Sequence, residues 1–176
     1  MKMNKTGVLL ITLLGMTPVS QALAVDGQIE FTGMITDVTC VVSVNNQGPM
    51  ATITLPTISL YDDIHADSET PFRITLEGCT GPTLSTAYTY FEAGAGYATT
   101  FGWLNNKSGP GYAEHVYVEI ARNGGNLQLN DITHQSQATF DLSDGYADYT
   151  AHYITLGGPV TAGDIYTVAD YTIMYQ

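Results

Sequence analysis

The sequence predicts an all-β fold, an antiparallel β-sandwich, and three observations predict it. Apolar residues alternate with polar ones in one short run after another. Successive side chains of a strand face opposite ways, so period-two alternation marks strands with one buried face. Turn signals rich in Gly, Asn and Pro separate these runs. After the first two dozen residues, no stretch of convincing length carries apolar residues at helical spacing. Many short strands joined by turns bury their apolar faces as two packed sheets.

The elements follow in order. Ile29, Phe31, Gly33 and Ile35 alternate with Gln28, Glu30, Thr32 and Met34. After Asp37 the parity flips, and Val38, Cys40, Val42 and Val44 take the apolar face. A bulge or bend in one long edge strand produces such a flip. Ile53 and Leu55 predict a short strand stopped at Pro56. Phe72, Ile74 and Leu76 alternate with Arg73, Thr75 and Glu77 up to Gly78-Cys79. Leu84–Asn106 is less regular and predicts one strand flanked by loops. Val116, Val118 and Ile120 form the next run, followed by Leu127 and Leu129, Phe140 and Leu142, then Tyr149, Ala151 and Tyr153. Val168–Tyr175 closes the chain with Ala169, Tyr171, Ile173 and Tyr175 on one face. Turns are marked at Asn45–Pro49, Asn123–Asn126, Asp144-Gly145 and Gly157–Pro159.

Residues 1–24 are expected to be a signal peptide rather than fold. Lys2 and Lys5 make a positive start, Gly7–Met16 is almost wholly apolar, and Ala22-Leu23-Ala24 has the small-x-small form of a cleavage site. The apolar run falls short of the ~20 residues that a spanning helix needs. Ser20-Gln21-Ala22 is a second cleavage candidate, so the start after cleavage is Leu23 or Val25. The remaining 25–176 reads as one domain, without a later segment apolar enough to hold the chain in a bilayer. Of 5 basic residues in the whole chain, cleavage would leave Arg73, Lys107 and Arg122 against 17 acidic ones. The formal charge then moves from −12 to −14. So few cations exclude electrostatic binding to nucleic acid or anionic lipid. Secretion puts Cys40 and Cys79 in an oxidising compartment, where they should pair.

Little in the chain speaks for catalysis. His65, His115, His134 and His152 are scattered, without the paired spacing that presents two metal ligands from one element. No nucleophile elbow or phosphate-binding glycine loop is present, and neither a metal nor a cofactor is expected. Asp141, Asp144, Gly145 and Asp148 have the wrong spacing for a calcium loop and fit a solvated turn. Asp62-Asp63 with Asp67 and Glu69 forms an acidic cluster, and Asn106-Lys107-Ser108 fits a glycosylation triplet. Trp103 and the tyrosines could stack on sugars, so a secreted carbohydrate-binding sandwich is the competing function. An enzyme is not expected.

Both ends are strand-like, which is unusual unless something holds them. The N-terminal run Val25-Asp26-Gly27-Gln28-Ile29-Glu30-Phe31-Thr32-Gly33 reads either as a normal first strand or as a strand offered to another molecule's sheet. Gly33–Cys40 (Gly-Met-Ile-Thr-Asp-Val-Thr-Cys) resembles the Gly-x-[Ile/Val]-x-x-x-x-Cys opening of type 1 and P-type pilus subunits of the chaperone–usher pathway. Phe72–Cys79 is similar to the strand carrying that family's second cysteine. Gly163, fourteenth from the end, leads through alternating residues to the penultimate Tyr175, as in the family's chaperone-recognition signature.

The resemblance implies an incomplete immunoglobulin-like sandwich, residues 34–176, lacking its final strand and completed by donor-strand exchange. A groove along Val168–Tyr175 would take a strand from a periplasmic chaperone, whose basic residues would bind the carboxylate of Gln176. Gly163, Ala169, Tyr171, Ile173 and Tyr175 would form this chaperone and acceptor surface. At an outer-membrane usher, the N-terminal extension (25–33) of a neighbouring pilin subunit would displace the chaperone. Its donor side chains would be Val25, Gly27, Ile29, Phe31 and Gly33, with either Gly27 or Gly33 over a shallow pocket. The implied product is a cell-surface fimbria supporting adhesion, reached through the periplasm. Fifteen residues separate Cys40 from the start at Val25, fewer than in many shaft subunits and closer to some minor tip subunits.

Overall fold

The computed structural model describes residues 39–81, 85–94 and 99–176. The expected signal peptide, the parity change after Asp37 and the donor residues Val25, Gly27, Ile29, Phe31 and Gly33 lie outside them. The strands, in chain order, are β1 (Thr39–Val44), β2 (Thr70–Thr80), β3 (Thr86–Glu92), β4 (Leu104–Asn105), β5 (Val116–Arg122), β6 (Gly125–Asn126), β7 (Phe140–Asp141), β8 (Tyr146–Thr155) and β9 (Asp170–Tyr175). One helical turn, α1 (Ile132–Gln135), precedes β7, and a 3-10 turn (Ala66–Ser68) precedes β2. The larger sheet runs β1-β2-β8-β5-β4 with β6 on the end of β5; the smaller runs β7-β3-β9. Every strand pair is antiparallel.

The predicted alternation decides which side chains enter the core. Phe72, Ile74 and Leu76 of β2 are buried, as are Val116, Val118 and Ile120 of β5 and Tyr149, Ala151 and Tyr153 of β8. Phe72, Phe91 and Tyr149 pack as an aromatic cluster, Tyr149 lying 5.3 Å between centroids from each of the other two. Tyr149 reaches the opposite sheet, where its hydroxyl donates to Thr89 Oγ1 at 2.8 Å. Burial raises the Tyr149 phenol above its ordinary value.

Cys40 and Cys79 form a disulfide between β1 and β2, closing a sequence separation of 39. A loop of that length contributes about 4 kcal/mol in the chain-entropy account. The β1–β2 register slips between Thr39 and Val41, so three residues of β2 span two of β1. Gly78, at φ +59°, supplies the left-handed backbone at this bulge.

Three expectations change. Ile53 and Leu55 belong to no strand; the segment packs on the core without a ladder partner among the described residues. Leu127 and Leu129 are buried in a loop rather than a strand. A helical turn also interrupts the all-β order. Asp131 caps α1 by accepting from His134 N at 3.0 Å. Gln135, wholly buried, then presents its amide to β3. Phe91 N donates to Gln135 Oε1 at 2.7 Å, and Gln135 Nε2 donates to Phe91 O at 3.0 Å. One side chain thus takes the place of a strand on the edge of β3 beyond β7, where none pairs among the described residues.

Candidate functional site

The last strand differs from the others in what covers it. Tyr171, Ile173 and Tyr175 point toward the core, yet none of β9 is fully buried. Each is partly buried and packs on the hydrophobic cluster. Hydrogen bonds join β9 to β3 alone among the described strands, in register from Ala87↔Tyr175 to Glu92↔Asp170. Beyond the strand the end stays fastened: Gln176 N donates to Thr86 O at 2.8 Å, and Thr86 N donates to Gln176 O at 3.1 Å.

A groove of ≈ 890 Å³ opens between residues 51–60 and 160–169 and meets β9 at Tyr171. Residues 51–60 form one rim and 160–169 with Tyr171 the other, over a floor that includes Phe72, Ile74, Phe91, Val118 and Tyr153. The first rim is held by side chains rather than a ladder. Tyr153 Oη donates to Pro56 O at 3.2 Å, and just ahead of the rim Tyr171 Oη donates to Pro49 O at 2.7 Å. Proline at position 56 costs no ladder bond, because the segment pairs with no strand among the described residues. Partial burial raises the phenols of Tyr171 and Tyr175 above their ordinary value.

Asn106 and Gly163 pin the other rim. Asn106 Nδ2 donates to Ala113 O at 2.8 Å and Asp164 O at 3.0 Å, while its Oδ1 accepts from Tyr166 N at 2.8 Å. All of its amide groups are therefore engaged inside the fold, where the sequence alone offered a glycosylation triplet. Gly163 lies so close to the next loop that an added Cβ would fall on Ala113 N and the Tyr112 carbonyl carbon. Its role is close backbone approach, which no other residue type allows. Of the residues named from sequence for this surface, Gly163, Ala169 and Tyr171 line the groove. Ile173 and Tyr175 continue the same face, and Gln176 is exposed at its end. Rim 51–60 escaped sequence reading; its only signal was Ile53, Leu55 and Ile58 around Pro56.

The other sequence candidates resolve as local structure. Asp62 accepts from Ser59 N, Asp63 from Ala66 N and Asp67 from Asp63 N, so the acidic cluster ties backbone turns. Asp141 accepts from Ser143 N at 2.8 Å, and bonds from the Ser143 backbone and hydroxyl hold its carboxyl below the usual range. No group of three or more metal-ligating side chains occurs among the described residues. No helix among them is long and apolar enough to cross a membrane.

Known proteins agree with the fold and locate the chain. It superposes on the P pilus rod subunit PapA with a TM-score of 0.51 at 18% identity, over 85% of this chain and 100% of that one. The shared fold is an immunoglobulin-like, all-β sandwich. In sequence it is 35% identical to the F17 fimbrial protein of Escherichia coli, across 89% of this chain and 91% of the relative. It is 32% identical to the major fimbrial subunit SMF-1 of Stenotrophomonas maltophilia, across 87% and 94%. The family model described as fimbrial protein matches residues 29–176. These relatives are fimbrial subunits, not enzymes. With the matched region spanning β1 through β9, the chain belongs to the fimbrial protein family.

Proposed function

We propose that this fimbrial subunit polymerises by donor-strand exchange. The observation that carries the reading is the groove of ≈ 890 Å³ that meets β9 at Tyr171, whose two rims are not paired with each other among the described residues. An apolar trough next to an unsatisfied strand edge is an aggregation hazard unless another strand fills it. An extended segment meets both needs, with backbone hydrogen bonds to β9 and alternate side chains in the trough. Val25, Gly27, Ile29, Phe31 and Gly33 of a neighbouring copy or related subunit have that alternation. A periplasmic chaperone would hold the groove first and take the carboxylate of Gln176, and an outer-membrane usher would mediate the exchange. Adhesion then follows from display of the fibre at the cell surface.

The test compares protein lacking residues 1–33, with and without a synthetic peptide spanning Val25–Ile35. Each buried apolar side chain contributes about 1.5–3 kcal/mol before ordering costs. The peptide-free form should self-associate, and the peptide should render it monomeric with a clearly higher Tm. A truncated protein that is already monomeric and gains no Tm from peptide would sink the proposal. For chaperone capture, Tyr175→Ala should reduce co-purification with the cognate chaperone. Gly163→Thr is the poorer probe, because it strikes the Ala113 backbone and so perturbs the rim itself.

A further inference from the structure

The outer face of the larger sheet carries a second surface unrelated to the groove. Tyr117 and Glu119 project outward from β5, where Val116, Val118 and Ile120 take the inward positions. Across the ladder, Glu119 faces His152 of β8. Trp103 enters this face just before β4, its indole Nε1 donating to Glu119 Oε2 at 2.8 Å. Phe101 stacks on Trp103 with centroids 4.9 Å apart and planes within 29°, and Trp103 leans on Tyr117 at 6.3 Å. Phe101, on this stack, is 51% exposed. Beside it, an open cleft of ≈ 770 Å³ is lined by Glu119, His152, His65, Thr150 and Asn123 among others. His65 and His152 stack with centroids 4.6 Å apart and planes within 7°.

We propose that this face is a binding site for a neutral, hydroxyl-rich glycan. The exposed face of Phe101, backed by the stacked Trp103 ring, forms a flat shelf rather than a cage, matching the flat apolar C–H face of a pyranose ring and offering no enclosure for an ammonium ion. The cleft next to the shelf supplies accessible planar polar groups, the Glu69 and Glu119 carboxylates, the His65 imidazole and the Asn123 amide, which suit a row of sugar hydroxyls. His152 is buried behind His65 with its Nε2 on Thr150 Oγ1. Charge argues against an acidic ligand. Three carboxylates, Glu69, Glu119 and Asp148, border the cleft against two guanidinium groups: Arg73 grips both oxygens of Asp148 at 2.6 and 2.7 Å, and Arg122 is turned to Ala138 O and Thr139 O at 3.0 and 2.7 Å. The carboxylates of Glu69 and Glu119 remain at the cleft and would repel an anion. The Trp103–Glu119 hydrogen bond fixes shelf and carboxylate before ligand arrives, which lowers the ordering cost of binding.

Trp103 is the sole tryptophan of the chain, so its emission reports on the shelf directly. The purified protein, in whatever assembly state it takes, is screened against an array of neutral, sialylated and sulfated glycans. Each bound neutral oligosaccharide is then titrated by Trp103 fluorescence. Neutral binders should give a saturable emission shift, and Phe101→Ala and Glu119→Gln should each weaken binding by about tenfold. Phe101 is exposed and Glu119→Gln preserves shape, so circular dichroism and Tm should stay unchanged in both. Binding restricted to acidic glycans, no glycan binding at all, or neutral binding untouched by Phe101→Ala would each overturn the proposal. Loss of self-association in Phe101→Ala without glycan binding would overturn it too, by making the shelf a protein contact.

Discussion

Strands β8 and β9 both lie on the core, and the contrast between them explains the molecule. β8 is hydrogen-bonded on both sides, by β2 and β5, and five of its residues are buried: Ala147, Tyr149, Ala151, His152 and Tyr153. Among the described residues β9 has β3 on one side only and no fully buried residue, although Tyr171, Ile173 and Tyr175 are as apolar and as regularly spaced. The same pattern thus yields a finished strand in one place and a half-covered one in the other. Alternation specifies a face; only a neighbour on each side completes its burial.

The strongest challenge to that contrast is a matched pair of truncations measured by urea unfolding. Ile74→Ala, at a side chain only 1% exposed, should cost about 2–5 kcal/mol. Ile173→Ala on the half-covered face of β9 should cost less than half as much in the peptide-free protein. Equal losses would erase the distinction. Next comes the edge of β3 where no strand pairs among the described residues. Gln135→Ala takes the partner from Phe91 N and leaves Phe91 O with Asn130 N alone, and should cost about 2 kcal/mol, whereas Gln135→Glu should fail to restore it because a carboxylate cannot donate to Phe91 O.

A smaller effect tests how firmly β8 bridges the sheets. Tyr149→Phe leaves the buried Thr89 hydroxyl without its donor and should cost about 1 kcal/mol at neutral pH. The Tyr149 phenol is raised by burial, so the fold prefers it neutral. That preference is fully present below the ordinary phenol value near 10 and is lost as pH rises through the raised one. Wild type should therefore lose stability in this alkaline range, and the phenylalanine variant should lose less. Smallest of all is the Arg73–Asp148 pair on the solvent face of β2 and β8. The bidentate hydrogen bond from Arg73 holds the Asp148 carboxyl below its usual range. The contribution is present above the ordinary carboxylate value and disappears as pH falls through the lowered one. Both groups are half exposed, so Asp148→Asn should barely move a neutral-pH urea midpoint and should flatten the acid limb slightly.

The sequence shows strands wherever alternation and a paired ladder coincide, as in β2, β5 and β8. It was silent where tertiary contacts hold the backbone instead. At Ile53 and Leu55 the alternation is present but no strand forms among the described residues; the Tyr153 hydroxyl on Pro56 O, and the Tyr171 hydroxyl on Pro49 O just ahead of the rim, hold the segment from far away in sequence. α1 is too short to show a helical period, and its purpose lies in one amide meeting β3. Asn106 looked like a surface triplet because a single sequence cannot reveal that three backbone groups converge on its side chain. Within the candidate site, the β9 face was legible from its spacing, while the opposite rim required the fold.

The scarcity of cations has a consequence for durability. Beyond residue 24, only Arg73, Lys107 and Arg122 offer a cleavage point to a protease that cuts after basic side chains. Arg73 and Arg122 belong to strands of the larger sheet, where the backbone cannot bend into a protease cleft without local unfolding. Lys107 lies off the strands, but its ammonium rests 5.0 Å from the Tyr112 ring centroid and its backbone N–H is bonded to Tyr166 O. A trypsin-like enzyme therefore meets only three basic sites beyond residue 24, two of them inside strands, and the folded domain should be cut first at Lys107, the one in an exposed loop.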